Sequence, residues 1–150
     1  MKARLLDVGD AAVTVEFGDG IDPALLAQVE AFDHAVLAAI ADGRLQGVIE
    51  TVPTFRSLTI LYDPLLTSRA VIDLILGELL ATMHTAIGEN GRLWRFPVCY
   101  GGEYGPDLES LAAAVARSPD EVVRLHATTT VRVYMLGFLP GFPFMGDLPE

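Results

Sequence analysis

Ala11-Ala12-Val13-Thr14-Val15-Glu16-Phe17 decides how the chain begins to fold. Ala11, Val13, Val15 and Phe17 alternate with Ala12, Thr14 and Glu16, the period of two expected of a strand with one buried face. Upstream, Leu5 to Val8 is its expected partner, joined through the turn pair Gly9-Asp10. Downstream, Asp22-Pro23 opens a helix, because aspartate caps and proline at the first helical position gives up no needed N–H. Leu25, Val29, Phe32, Val36 and Ile40 form an apolar stripe at helical spacing. Gly43 sits where the left-handed terminal residue belongs.

The pattern then repeats. Val48 to Val52 and Leu58 to Tyr62 read as short strands joined through Pro53, with Leu58, Ile60 and Tyr62 on one face. Tyr62-Asp63-Pro64 is a strand end and turn. Thr67-Ser68 begins a second helix whose core stripe is Val71, Ile72, Ile75, Leu79, Leu80 and Met83, with Gly88 and Asn90-Gly91 as its stop. Leu93 to Cys99 reads as a strand in which Trp94, Phe96 and Val98 alternate against Arg95. This order predicts the α+β class: a ferredoxin-like α/β sandwich with a hairpin at its start, over residues 1–90. Val13, Val15, Phe32 and Ile75 should share its core.

After Cys99 the texture changes. Tyr100-Gly101-Gly102-Glu103-Tyr104-Gly105-Pro106-Asp107 is rich in glycine, and a short helix with Leu108, Leu111 and Val115 on one face follows. Ser118-Pro119-Asp120-Glu121 is a capping box that starts another helix. Val131 to Gly137 reads as a strand. The chain ends in Phe138-Leu139-Pro140-Gly141-Phe142-Pro143-Phe144-Met145-Gly146-Asp147-Leu148-Pro149-Glu150. Three aromatics on a Pro/Gly-rich loop have nothing left to cover them, and two helices with one strand cannot bury a core unaided. The expectation is that this second part packs against something outside the chain, or that the natural protein continues past Glu150.

Composition narrows the function classes. Of 150 residues, 51% are hydrophobic, which argues for a packed core. Twenty acids against ten Lys and Arg give a formal charge of −10, which disfavours nucleic acid and anionic membrane surfaces as partners. No apolar run is expected to reach transmembrane length, since the stretch near Ala70 to Leu80 is broken by Asp73 and Glu78. The N-terminus shows no signal peptide, and the single Cys99 forms no internal disulfide, so a cytoplasmic location is expected. His34, His84 and His126 have no ligand spacing, so no metal site is expected.

The candidate residues each admit two readings. In the Tyr100–Asp107 segment, glycines give backbone access and can cradle an oxyanion, while Glu103 and Asp107 can bind a cation or move a proton. The plainer reading is a tight turn with Asp107 capping the next helix. The Phe138–Met145 loop is a lid or subunit interface, or else Phe142 and Phe144 fill a core. Cys99 reads as a half-buried structural cysteine before a nucleophile. His126 could reach the motif loops as an acid or base, although a helix C-terminal role fits it better. His34 and His84 read as surface residues. No glycine is followed by Lys-Ser or Lys-Thr, so there is no P-loop.

Tyr100 to Leu108, and Tyr134-Met135-Leu136-Gly137-Phe138-Leu139-Pro140-Gly141-Phe142-Pro143-Phe144-Met145-Gly146, resemble the two hallmark segments of a family that unites KipI, the B-type subunit of 5-oxoprolinase and allophanate hydrolase subunit 1. The resemblance implies that residues 91–150 are the first part of a cyclophilin-like β-barrel, which a later Pro/Arg-rich segment and glycine-rich strands complete. It implies a non-autonomous subunit of a bacterial ATP-dependent 5-oxoprolinase, working with allophanate hydrolase subunit 2-like and LamB/YcsF-like partners. ATP would be bound on a partner subunit, with no cofactor on this chain. The same family includes an inhibitor of a sporulation histidine kinase and carboxyltransferase-type subunits of urea metabolism. The implied substrate- or partner-binding residues are Tyr100, Gly101, Gly102, Glu103, Gly105, Asp107, Phe138, Pro140, Gly141, Phe142 and Phe144, and the two loops are expected to lie side by side.

Overall fold

Val13 and Val15 lie in the middle of a four-stranded sheet in the computed structural model, which describes residues 3–83 and 91–146. The chain divides into two compact units, Met1–Glu89 with Val133–Phe144, and Asn90–Arg132 with Met145–Glu150.

In the first unit, β1 (Arg4–Asp7), β2 (Ala12–Glu16), β3 (Val48–Pro53) and β4 (Ser57–Tyr62) form an antiparallel sheet in the order β1-β2-β4-β3. Val13 opposes Ile60 and Val15 opposes Leu58, so the alternation read in each strand stacks apolar side chains across the ladder on one face. On the other face, Thr14 and Thr59 join hydroxyls at 2.7 Å, and Glu16 is bridged by both Arg4 and Arg56.

Two helices supply the rest of the core. In α1 (Pro23–Ala41), Asp22 accepts from Ala24 N–H at 2.7 Å and Pro23 occupies the first turn, as expected. Beyond its end, the Arg44 side chain and backbone N–H bond Asp42 and hold its carboxyl below the usual range. In α2 (Arg69–Thr82), the Ser68 hydroxyl accepts from Val71 N–H. Phe32 is fully buried and meets Phe17 edge-to-face at 5.5 Å. Val13, Val15 and Phe32 share one core, with Ile75 packed against it.

Four readings need correction. The buried stripe of α1 is Leu26, Val29, Phe32, Val36 and Ala39, while Leu25 and Ile40 only flank it. In α2 the buried residues are Ile72, Leu76 and Leu79, and Val71 is 47% exposed. The helix meets the sheet along a single line, so neighbours about 100° away around its axis turn outward. Third, α1 is long and apolar enough, at mean hydropathy 1.4, to cross a membrane by length and composition, contrary to expectation. Its stripe instead packs into the core. The expected stop at Gly88 and Asn90-Gly91 falls partly on residues 84–90, outside the described residues.

The fourth correction is the strand expected over Leu93–Cys99, which does not form. Leu93, Trp94, Phe96 and Val98 are all exposed, so neither face of the run is buried. Pro97, in its middle, has no N–H for a ladder, and a strand without a neighbour has nothing to hold it. The ladder position beside β2 is taken by β1.

The second unit holds α3 (Leu108–Ala114) and α4 (Pro119–Thr128), which pack on each other. Ser118 caps α4 by accepting from Glu121 N–H at 3.3 Å. The Glu121 carboxylate binds Arg117 at 2.9 Å, so only half of the capping box is made. The remaining strands, β5 (Val133–Leu136) and β6 (Pro143–Met145), form a two-stranded sheet. β6 lies inside what the sequence suggested was a loop.

Two adjacent α2 residues test this core. Ile72→Ala is expected to cost about 2–5 kcal/mol through cavity formation. Val71→Ala should stay within about 0.5 kcal/mol as a surface change. Chemical denaturation midpoints of the two variants check the difference, and equal losses would contradict this helix phase.

Candidate functional site

Tyr100 to Asp107 is folded by its glycines. Gly101 has φ +77° and ψ −179°, a region essentially closed to residues with a side chain. Gly105 has no room for one, because a Cβ there would lie 2.8 Å from the Gly101 nitrogen. Between them Gly102–Tyr104 makes one 3-10 turn, with Tyr104 N–H donating to Gly101 O at 3.2 Å. Leu108 N–H then donates to Gly105 O at 3.2 Å, leading into α3.

Asp107 does less than the turn reading assigns it. Asp107 stands at the N-cap of α3, but its side chain makes no capping hydrogen bond. Its backbone is already in the helical region (φ −95°, ψ −4°), not the extended one that aims a capping side chain back at the first turn. The Asp107 carbonyl accepts instead, from Leu111 N–H at 2.9 Å and the Ser110 hydroxyl at 2.8 Å. Glu103 and Asp107 are both exposed. Among the described residues, no group of three or more His, Cys, Asp or Glu is placed to hold a metal ion.

Tyr100 meets His126. Its hydroxyl oxygen lies 2.6 Å from His126 Nδ1, and the rings stand edge-to-face at 5.7 Å. His126 occupies the last turn of α4 and is exposed. Cys99, next to Tyr100, is exposed, so the half-buried reading is wrong. Once Leu93–Cys99 fails to pair as a strand, no packed face remains to cover it. His34 is exposed, as expected, and His84 lies outside the described residues.

The second motif builds a row of aromatic rings in the first unit. Phe138 faces Phe142 (6.0 Å, 73°) and Phe142 faces Phe144 (5.5 Å, 71°). Phe144 meets Phe55 edge-on at 6.3 Å, and Phe55 stacks on Tyr134 at 5.3 Å. Phe55 belongs to the β3–β4 turn, which Thr54 closes by donating its N–H to Ser57 O at 2.8 Å. Tyr134 is buried and Phe144 half-buried, while Phe138 is 86% exposed. Phe138 also has φ +63°, a strained conformation for a bulky residue. Pro140 and Gly141 are exposed in the connection between β5 and β6. Beside Phe55, residues Asp19, Gly20, Ile21, Thr54 and Arg56 line an open cleft, and Arg56 reaches the Asp19 carbonyl.

The structure therefore gathers Tyr100, Gly101, Gly102, Glu103, Gly105 and Asp107 in one turn, and Phe138, Phe142 and Phe144 in one aromatic row. The sequence reading missed Phe55, although an aromatic at the tip of a short turn was a signal for it. The sequence offers His126 both a place near the motif loops and a helix-end role, and the fold bonds it to Tyr100 of the first motif.

Comparison with known proteins places these features in context. Residues 3–150 match the carboxyltransferase domain, subdomain C and D. The B-type subunit of 5-oxoprolinase from Bacillus subtilis (strain 168) is 37% identical over 164 aligned positions, covering 100% of this chain. The chain spans 65% of that protein's length. The crystal structure of TTHA0988 superposes with a TM-score of 0.73 at 31% identity, over 92% of this chain and 26% of that one. Urea carboxylase from Kluyveromyces lactis shares the fold at a TM-score of 0.71 and 14% identity, over 94% of this chain and 14% of that one.

The glycine frame has a direct test. Gly105→Ala forces a methyl group onto the Gly101 backbone, so amide exchange at Tyr104 and Leu108 should accelerate at least about tenfold, a loss of about 1.4 kcal/mol of local stability. Gly102→Ala, whose Cβ points into open space, should bring only the strain of its positive φ, about 1–2 kcal/mol confined to the turn. Unchanged exchange in the Gly105 variant would contradict the packing of the two glycines.

Proposed function

The chain belongs to the carboxyltransferase domain family, subdomain C and D, and we propose that it forms part of the B-type subunit of an ATP-dependent 5-oxoprolinase. The observation that carries this reading is the 37% identity to the Bacillus subtilis protein over an alignment that covers the whole chain. In this reading the complex opens the lactam of 5-oxoproline to glutamate, with ATP converted to ADP and phosphate. The chain is inactive alone. Its partners resemble allophanate hydrolase subunit 2 and LamB/YcsF proteins, one of them binds ATP, and the complex is cytoplasmic. The absence of a glycine followed by Lys-Ser or Lys-Thr supports placing nucleotide binding elsewhere. The name of the relative favours this reading over kinase inhibition or urea metabolism.

The same proposal covers architecture. Two helices on one apolar face of a four-stranded antiparallel sheet support a ferredoxin-like sandwich over residues 1–90. Residues 91–150 are read as the start of a cyclophilin-like barrel, as the resemblance of the two motif segments implies.

The glycine turn and the aromatic row are each proposed as working surfaces. The glycines bring backbone within reach of a ligand. The rings exclude water or dock a partner, and their rigid frame limits the entropy lost on binding.

The test combines the complete subunit with its partner subunits, 5-oxoproline and ATP, and measures glutamate and ADP. Glutamate release is expected only with all components present. Gly102→Val, a branched side chain at φ +56°, should remove activity while the first unit stays folded. Phe142→Ala should weaken substrate or partner binding about tenfold or more. Glutamate release no greater than that of the partner subunits alone would overturn the reading.

A further inference from the structure

The hydrogen bond between Tyr100 and His126 joins the start of the glycine turn to the last turn of α4. We propose that His126 donates a hydrogen bond through Nε2–H to the substrate oxygen on which negative charge develops, and that Tyr100 is the positioning residue that fixes the imidazole for that task. This rests on the 5-oxoprolinase reading and assigns a role within it.

The first step is the tautomer. At 2.6 Å, the Tyr100 oxygen and His126 Nδ1 are within strong hydrogen-bond range. A phenol is the better donor to a neutral imidazole, so the Tyr100 O–H donates and Nδ1 accepts. The ring proton then resides on Nε2. Accepting a hydrogen bond at Nδ1 also polarises the ring, which strengthens Nε2–H as a donor. The edge-to-face contact at 5.7 Å holds the ring plane.

Second, His126 does not serve the end of its own helix. A histidine in the last helical turn commonly serves the terminal carbonyls. In α4 threonines serve the Arg124 and Leu125 carbonyls. Thr128 Oγ1 donates to Arg124 O at 2.8 Å, Thr129 Oγ1 donates to Leu125 O at 2.6 Å, and Thr129 N–H donates to Leu125 O at 3.1 Å. Among the described residues its ring bonds Tyr100 and no helix carbonyl, and it is exposed, where a ligand can reach it.

The third step is rigidity. A donor stabilises developing charge only if it is already in place when the charge appears. Tyr100 leads directly into Gly101, whose conformation is fixed and against which Gly105 packs. One end of the pair thus stands on a turn with little freedom, and the other on a capped helix. Attack on the lactam carbonyl, or on its activated form, moves charge onto oxygen, and Nε2–H meets it. His126 loses no proton, so the proton balance of the hydrolysis is unchanged.

The experiment has two arms, both on the complete subunit. In the first, the subunit is labelled with 15N-histidine and the imidazole nitrogens are observed near neutral pH. His126 is expected in the Nε2–H tautomer, and Tyr100→Phe should shift it toward a mixture. In the second arm, variants are assayed with the partner subunits, 5-oxoproline and ATP. His126→Ala should lower kcat about 100-fold with little change in KM, the loss typical of removing one donor to an oxyanion. His126→Gln, which keeps an N–H near the same place, should recover at least about tenfold of that loss. Tyr100→Phe should lower kcat about tenfold. An Nδ1–H tautomer in the unaltered subunit, full activity in His126→Ala, or no recovery in His126→Gln would each overturn the assignment while leaving the oxoprolinase reading intact. A wild-type complex that releases no glutamate would overturn that reading and this role together.

Discussion

The pairing of β2 with β4 is the constraint on which the first unit depends. Val13 beside Ile60 and Val15 beside Leu58 put four fully buried side chains on one face, and both helices pack onto that face. A slip of one residue would send all of them outward and bring Thr14 and Thr59 into the core, so the register has no near competitor. The same register fixes the β3–β4 turn, and through it Phe55. The aromatic row of the second motif stacks on Phe55, so a functional candidate far along the chain takes its place from the first hairpins. The Arg56 contacts with Glu16 and the Asp19 carbonyl tie down the other side of that turn. Both contacts orient the turn from the side away from the core.

Much of this was legible because it is local. The Gly9-Asp10 hairpin, the caps at Asp22, Ser68 and Ser118, and the alternation of β2 and β4 follow from spacing and from which residues satisfy helix ends. Helix phase was misjudged at Leu25, Ile40 and Val71 because a helix with apolar residues on several sides can be drawn with more than one stripe. Leu93–Cys99 alternates like a strand, but alternation gives no pairing partner, and Pro97 weighed against one. Asp107 sits in a capping position without capping, a matter of one backbone angle that its sequence context does not display.

The candidate sites were legible to different depths. The glycines of the first motif stand out in sequence, and the structure supplies their reasons: a conformation at Gly101 and a lack of space at Gly105. The aromatics of the second motif stand out equally, but what they lean on does not. Phe55 is about 80 residues away in sequence, and His126 is separated from Tyr100 by α3 and most of α4. Contacts across such separations come from tertiary packing, and no periodicity encodes them.

Phe138 shows where folding and use of the chain pull apart. Its left-handed backbone would relax if glycine stood there, and its ring sits almost wholly in water. In the isolated chain both features are unfavourable, so selection for thermal stability alone would discard this phenylalanine. Its presence marks a position whose residue the folding of this unit does not explain. Glycine at this position would relax the backbone and remove an exposed aromatic surface in one change.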